Sequence, residues 1–240
     1  MSVVQYSDNT KVNLRICSRC IYDQRVPAIS FDTEGVCNYC RQVEHLKEQY
    51  GTGQARGKAL FADILKEIRR VGRGRPYDCI VGVSGGTDSS YLVYLAKEWG
   101  LRPLAVHYDN TWNSAIATMN IHKVLNGLDV DLYTHVVANK ESDDIFRAFF
   151  LSGVAEIEAA TDLGYAYLLR QVAAKYGIKS ILEGHSFVAE GITPLGRNYF
   201  DGKYIKSIHR QFGRVQMATY PLMTLSRFLM SAVIHRVKFI

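Results

Sequence analysis

Two segments that would send this chain out of the cell or into a membrane are missing. Residues 1 to 16 contain no apolar core of a secretory signal. No run of about 18 apolar residues occurs that would span a bilayer. Both absences point to the cytoplasm, where thiols stay reduced. Cysteine is scarce: Cys17, Cys20, Cys37, Cys40 and Cys79 are all there is. In a reducing compartment, paired cysteines indicate a metal rather than disulfides. Acidic residues nearly vanish from the last 44 positions. Residues 197 to 240 hold eight Lys/Arg and only Asp201 on the acidic side, whereas residues 1 to 196 hold 21 bases and 22 acids. The whole net charge of +6 therefore sits in that segment. It suits an anionic small molecule or RNA, or else marks a tail whose acidic complement is absent. No internal repeat or low-complexity stretch is present. Composition is otherwise that of a soluble globular chain, with 48% hydrophobic and 22% charged residues. That length allows one large domain, or a main domain with a small appendage.

What is present falls into three parts. Residues 1–50 carry four of the cysteines among short strands and turns, then a short helix over "RQVEHLKEQYG" ended by Gly51. Residues 51–76 read as a flexible linker, "GTGQARG", followed by a helix with Leu60, Phe61, Ile64, Leu65, Ile68 and Val71 on one face. From Tyr77 to the end, apolar strands and helices alternate in the order βαβαβααβ. That predicts a parallel sheet covered by helices on both faces. The closing stretch, "YPLMTLSRFLMSAVIHRVKFI", reads as the start of an apolar, basic helix that needs something to pack against.

Two motifs carry chemistry. Cys17-x2-Cys20 and Cys37-x2-Cys40 are separated by 16 residues. Two such knuckles fill all four positions of a tetrahedral zinc ion, leaving none open, so the metal is structural. Gly35 fits the tight turn before the second knuckle. Cys79 lies within the first sheet strand and reads as a small buried hydrophobe. The second motif is "VGVSGGTDSS", residues 81 to 90. A strand ends in Ser84-Gly85-Gly86, and a helix begins near Asp88. Glycines admit an anion close to the backbone, a helix N-terminus supplies open N–H groups, and Ser84, Thr87, Ser89 and Ser90 add hydroxyls. This is a phosphate cradle, with Asp88 placed to hold Mg²⁺ or to cap the helix. It lacks the lysine of G-x4-G-K-[ST], which argues against γ-phosphate transfer, and it is not GxGxxG.

Further candidates sit at predicted strand ends, where α/β sheets bind ligands. Tyr108 and Asp109 close the second strand. Gly184 and His185 close a later one, with Glu190 shortly after. His185 is either a site residue or a core histidine, and Glu190 can serve Mg²⁺ or substrate. Glu158 and Asp162 are four apart on a helix; Thr161 or Asp162 is the expected helix cap, with a substrate role as the alternative. Lys206 and Arg210 either meet an anionic substrate or form a solvated face.

The string SGGTDSS after an apolar strand resembles the signature of the PP-loop ATP pyrophosphatases, over residues 77 to about 225. The resemblance implies a Rossmann-like α/β domain that cleaves ATP to AMP and pyrophosphate. Its functional residues would be Ser84–Ser90 with Gly184 for the nucleotide, Tyr108 and Asp109 on the adenosine side, and Asp88, Ser84, His185 and Glu190 in catalysis. The further strings "CSRCIYD", "GVCNYC", "HYDNTWNS", "LEGHSFVAEG" and "YPLMTL" make the chain similar to the N-acetyl sugar amidotransferases of O-antigen and nonulosonic-acid synthesis. That implies ATP, Mg²⁺ and structural Zn²⁺. It also implies an anionic N-acetyl sugar or sugar nucleotide as acceptor, with Glu158, Asp162, Lys206 and Arg210 as candidate contacts. Ammonia would come from a glutaminase subunit with a cyclase-like companion, since beyond Cys79 no cysteine remains to serve as a glutaminase nucleophile. Members of that family usually continue well past "YPLMTL", so the 77–240 domain is expected to be C-terminally incomplete. One alternative is a tRNA-thiolating enzyme, which suits the basic tail but typically needs further cysteines near the loop. The other is a non-catalytic, ATP-binding zinc-ribbon scaffold.

Overall fold

The computed structural model describes residues 14–193 and 201–240. Two compact units emerge: Met1–Gly57 with Ser186–Arg197, and Lys58–His185 with Asn198–Ile240.

In the first unit, bridges pair Ile16 with Asp23 and Phe31 with Cys37, each antiparallel. Gly35 takes φ +78° in the turn between them, and its amide donates to the Asp32 carbonyl. Helix α1 (Asn38–Tyr50) starts at Cys37, whose sulfur accepts from the Cys40 amide, and ends at left-handed Gly51. Among the described residues, the buried hydrophobics of this unit are Cys17, Val36 and Cys37, ringed by half-buried side chains such as Tyr22 and Tyr39. Segment 186–193 is tied in by the Tyr22 hydroxyl donating to the Ile192 carbonyl and by Phe187 against Tyr50.

Helix α2 (Ala55–Gly72) begins inside the stretch expected to be a linker. Its buried stripe is narrower than the sequence suggests. Leu65 and Ile68 are buried and Phe61 packs edge-on against Trp99, but Leu60 and Ile64 remain exposed. The second unit then follows the predicted order: β1 (Cys79–Gly82), α3 (Thr87–Glu98), β2 (Pro103–Asp109), α4 (Ala115–Leu128), β3 (Leu132–Val136), α5 (Asn139–Ser152), α6 (Ala159–Tyr176) and β4 (Ser180–Leu182). Beyond α7 (Gly202–Phe212), the closing stretch differs from the expected helix. Helix α8 (Leu225–Leu229) runs into a π-helical turn at Met230–Ile234, and the chain then extends as β5 (Lys238–Phe239). β5 pairs parallel with β4, a pairing that no local signal in two residues could announce.

All strand pairings are parallel, in the order β3-β2-β1-β4-β5. Side chains alternate along β1. Ile80 joins β2 residues Leu104 and Val106 under α5, α6 and α7; Cys79 and Val81 join Ala105 under α2, α3 and α4. Both faces are thus covered, the arrangement of a doubly wound α/β fold. Cys79 is fully buried, and burial pushes its thiol up to about 12.

Buried carboxylates staple the connections. At the amino end of the sheet, the Arg102 guanidinium grips both oxygens of buried Asp78 at 2.7 and 3.1 Å, and also bonds the Gly72 carbonyl ending α2. On α5, Glu141 accepts from the amides of Thr219 and Tyr220, while Asp144 accepts from those of Arg214 and Val215. Against the penalty of burial, these Val215 and Arg214 amides and the Arg147 guanidinium hold the Asp144 carboxyl down at about 2. The segment leaving α7 is therefore pinned to α5 by two carboxylates one turn apart.

Candidate functional site

The chain reverses direction through the sheet at β1. It moves outward to β2 and β3, then returns to place β4 on β1's other side. Helices leave neighbouring strands toward opposite faces at such a point and open a crevice at the carboxyl ends. Ser84–Ser90 follows β1 into that crevice, and Gly184 and His185 follow β4.

Why the turn needs its glycines is visible in the backbone. Gly85 has φ +80°, and a Cβ there would stand 2.2 Å from the Ala117 carbonyl oxygen of α4. Asn120 of α4 bonds the Gly85 carbonyl from the same side. Gly86 occupies the cap position of α3 in extended geometry and offers no side-chain cap. Asp88 therefore lies in the first turn rather than capping it. Among the described residues, the amides of Thr87, Asp88 and Ser89 have no acceptor, so three N–H groups face the crevice at the positive end of the helix. The serines brace the turn: Ser84 and Ser89 hydroxyls meet at 3.3 Å, and Ser90 donates to the Gly86 carbonyl at 2.7 Å. Gly184 lies against the same first turn, its position for a Cβ 3.7 Å from the Asp88 carbonyl oxygen.

Around the end of β4 the titratable groups are crowded. Glu183, which sequence reasoning passed over, has its carboxyl raised by burial, with His185 and Arg170 opposing. Asp162 is also raised, first by desolvation and then by Glu158 and Glu156, with His185 again opposing. His185 is solvent-exposed, not a core histidine. The signal for Glu183 was available: a carboxylate directly after the short strand Ser180–Leu182, which is buried throughout.

The remaining candidates are placed as follows. Tyr108 is buried with its hydroxyl beside Gly164 of α6. Asp109 organises its own loop, accepting from the Thr111 amide at 2.7 Å and from the Asn113 side chain at 3.0 Å, which holds Thr111 at φ +69°. Glu158 stands at the cap position of α6 without a side-chain cap bond, so the helix starts earlier than expected and neither Thr161 nor Asp162 caps it. Lys206 and Arg210 are exposed on α7, opposite its buried face of Ile205, Ile208 and His209. Glu190 belongs to the first unit, where its carboxylate accepts from the Ser186 amide at 3.1 Å.

In the first unit the four knuckle sulfurs all lie within 4.8 Å of one another, with Cys17–Cys40 at 4.0 Å and Cys20–Cys37 at 3.7 Å. Zn–S bonds of about 2.3 Å in a tetrahedron place sulfurs about 3.8 Å apart, so the cluster fits one zinc ion. The Arg19 and Cys37 amides donate to Cys17 Sγ, as thiolate-bearing knuckles require. Against burial, the amides of Arg19, Cys20 and Cys37 bring the Cys17 thiol down to about 6. Cys40 is raised by burial and by its neighbouring sulfurs. Four thiols this close cannot all ionise alone; a divalent cation supplies the missing charge.

Fold and site together define a doubly wound α/β domain with open backbone amides in the turn at its switch point, in a chain that also carries a four-cysteine cluster fitting one zinc ion. Among the described residues no helix is long and apolar enough to cross a membrane. No protein-family model and no curated protein matches the chain. Solved structures similar to it include a predicted subunit of a tRNA methyltransferase from Methanocaldococcus jannaschii, at 13% identity and TM-score 0.37 over 68% of this chain and 65% of that one. The NMN synthetase of Francisella tularensis is similar at 16% identity and TM-score 0.38, over 75% and 71%. The NH3-dependent NAD synthetase of Campylobacter jejuni is similar at 12% identity and TM-score 0.41, over 72% and 73%. Likenesses this distant bear on neither substrate nor reaction.

Proposed function

We propose that this chain is an AMP-forming, ATP-dependent amidotransferase of cytoplasmic surface-sugar synthesis, the O-antigen type included. The observation that carries the reading is the Ser84–Ser90 turn: open amides at a helix N-terminus, at the sheet's switch point, with no lysine for a γ-phosphate. Such a turn neutralises a departing pyrophosphate rather than a transferring terminal phosphate.

The sequence of bonds is simple. The N-acetyl oxygen of the sugar attacks the α-phosphorus of ATP, and pyrophosphate leaves onto the Thr87, Asp88 and Ser89 amides. Ammonia then attacks the activated carbon, the C–O bond breaks, and AMP departs with the oxygen. An acetamidino group remains, and the nitrogen sheds a proton. An amide oxygen is a poor leaving group; as an AMP ester it becomes a good one. His185, beside the raised carboxyls of Asp162 and Glu183, is the proton acceptor we assign. Mg²⁺, when bound with ATP, offsets charge on the phosphates, and Asp88 in the first turn of α3 is the residue placed to hold it. Zinc at Cys17, Cys20, Cys37 and Cys40 holds the first unit together and takes no part in the reaction. Ammonia is delivered by a separate glutaminase with its companion subunit.

The test is AMP and pyrophosphate release from Mg-ATP and ammonium, with N-acetylated sugar nucleotides in one arm and bulk tRNA in another. The reading requires release driven by the sugar, with a product in which NH has replaced oxygen. Release driven by tRNA alone would replace it with RNA modification.

A further inference from the structure

One cleft of the α/β unit is not used by the nucleotide turn. It lies at the carboxyl ends of β2 and β3, between the first two turns of α5 and the first turn of α6. Its wall is largely apolar, with Val137, Ile145, Phe146 and Ala160. The room at its floor is about that of a water molecule or a methyl group, too little for a base or a sugar ring.

The polar groups on the wall divide into spent and unspent. The Ser142 hydroxyl donates to the Asn110 carbonyl at 2.6 Å, and the Tyr220 hydroxyl to the Ala160 carbonyl at 2.6 Å. Among the described residues, the hydroxyls of Tyr108 and Thr161 and the amide NH2 of Asn110 make no hydrogen bond. Among the described residues, no cation lines the cleft. The charges felt at Tyr108 are the carboxylates of Glu141 and Glu158. A phosphate or uronate would enter against repulsion and find no cation to offset its charge. Just outside, Trp112 packs on Phe146 with ring centroids 4.7 Å apart and leaves its outer surface to solvent. Its ring nitrogen donates to Asp143 at 3.2 Å, which fixes the indole.

We infer that this cleft is the acceptor's N-acyl subsite: the methyl of an uncharged acetamido group fills the apolar floor. The amide is read by Thr161 and Asn110, and the sugar ring lies on Trp112. This deepens the amidotransferase reading and rests on it for the identity of the acceptor. It also adds a requirement: any anionic part of the acceptor lies outside the cleft. Acyl length becomes the specificity rule, since the floor closes behind one methyl group. Sequence inspection gives no hint of Phe146 or Thr161 in this role, because α5 and α6 bring them together only in the fold.

The probe is a methyl glycoside of N-acetylglucosamine, with N-propionyl and N-butyryl analogues, added to the full chain with Mg-ATP. Saturation-transfer NMR reads binding, and AMP release with ammonium reads turnover. The acetyl methyl should receive the strongest saturation, and the butyryl analogue should bind at least about tenfold more weakly. Thr161→Val should raise the acceptor Kd about fivefold, and Trp112→Ala about tenfold, with the KM for ATP unchanged. Trp112 is one of only two tryptophans, so acceptor should also quench fluorescence in the wild type but not in Trp112→Phe. Methyl saturation without AMP release would keep the subsite and overturn sugar adenylation. AMP release insensitive to acyl length and to both substitutions would keep the adenylation and overturn the subsite. Absence of methyl saturation, with unchanged fluorescence, overturns the subsite as well.

Discussion

The two units are held together by different means. The α/β unit has a continuous apolar core on each face of its sheet, with side chains such as Phe149, Ile80 and Val93 fully buried. Among the described residues, the four-cysteine unit buries Cys17, Val36 and Cys37, and two of those three belong to the cysteine cluster that fits a zinc ion. So small a core cannot offset chain entropy, so ligand chemistry replaces packing. The division has a functional counterpart: among the described residues, the α/β unit leaves amides and hydroxyls open at its carboxyl edge.

Substitutions that separate these two modes should differ sharply in effect. The largest is expected at the metal. Cys37→Ser, or a strong chelator, should release about one equivalent of zinc and collapse the first unit. Limited proteolysis should then cut within residues 14–57 while the α/β unit remains protected. Equal loss of both units would refute independent modes of stabilisation. Next comes the turn. Gly85→Ala demands φ +80° of a residue with a Cβ and drives that Cβ into the Ala117 carbonyl. Roughly 2–4 kcal/mol of strain is expected, with nucleotide binding lost in calorimetry while zinc content stays unchanged.

Asp144 gives a pH signature to the α/β unit. Its carboxyl is lowered in the folded chain from 3.8 to about 2, so its stabilisation is fully present above the unfolded value and disappears as pH falls from about 4 to about 2. The amount is roughly 2 kcal/mol. Thermal melts across that window should lose this increment in the wild type, and Asp144→Asn should flatten that part of the profile from a lower starting Tm. The smallest effect is expected on the exposed face of α7. Lys206→Ala and Arg210→Ala should change stability by less than about 0.5 kcal/mol. A larger loss on denaturant titration would mean that this face is covered.

Local chemistry made much of this architecture readable. The βαβαβααβ order follows from apolar strands and amphipathic helices. The cysteine spacing announces the metal site, and Ser84-Gly85-Gly86 announces the turn. What escaped depends on partners far away in sequence. β5 is two residues long and exists because β4 offers it a free edge. Glu141 and Asp144 look like surface acids of an amphipathic helix until the amides at 214–215 and 219–220 arrive to claim them. Segment 186–193 follows a sheet strand in the chain yet joins the cysteine unit, through contacts more than a hundred residues apart in sequence. The cap that is one of two readings of Asp88, and the cap expected at Thr161 or Asp162, are not formed for a related reason. Gly86 and Glu158 start those helices earlier, leaving both aspartates inside the first turn.

The central claim is that the open turn after β1 releases pyrophosphate from ATP while an N-acetyl oxygen is activated. The direct measurement uses the carbonyl-¹⁸O-labelled N-acetyl sugar with Mg-ATP and ammonium, followed by mass analysis of the nucleotide product. The account predicts AMP carrying the ¹⁸O label, formed in equal amount with pyrophosphate and abolished by Gly85→Ala. Unlabelled AMP, or ADP with free phosphate, would contradict it.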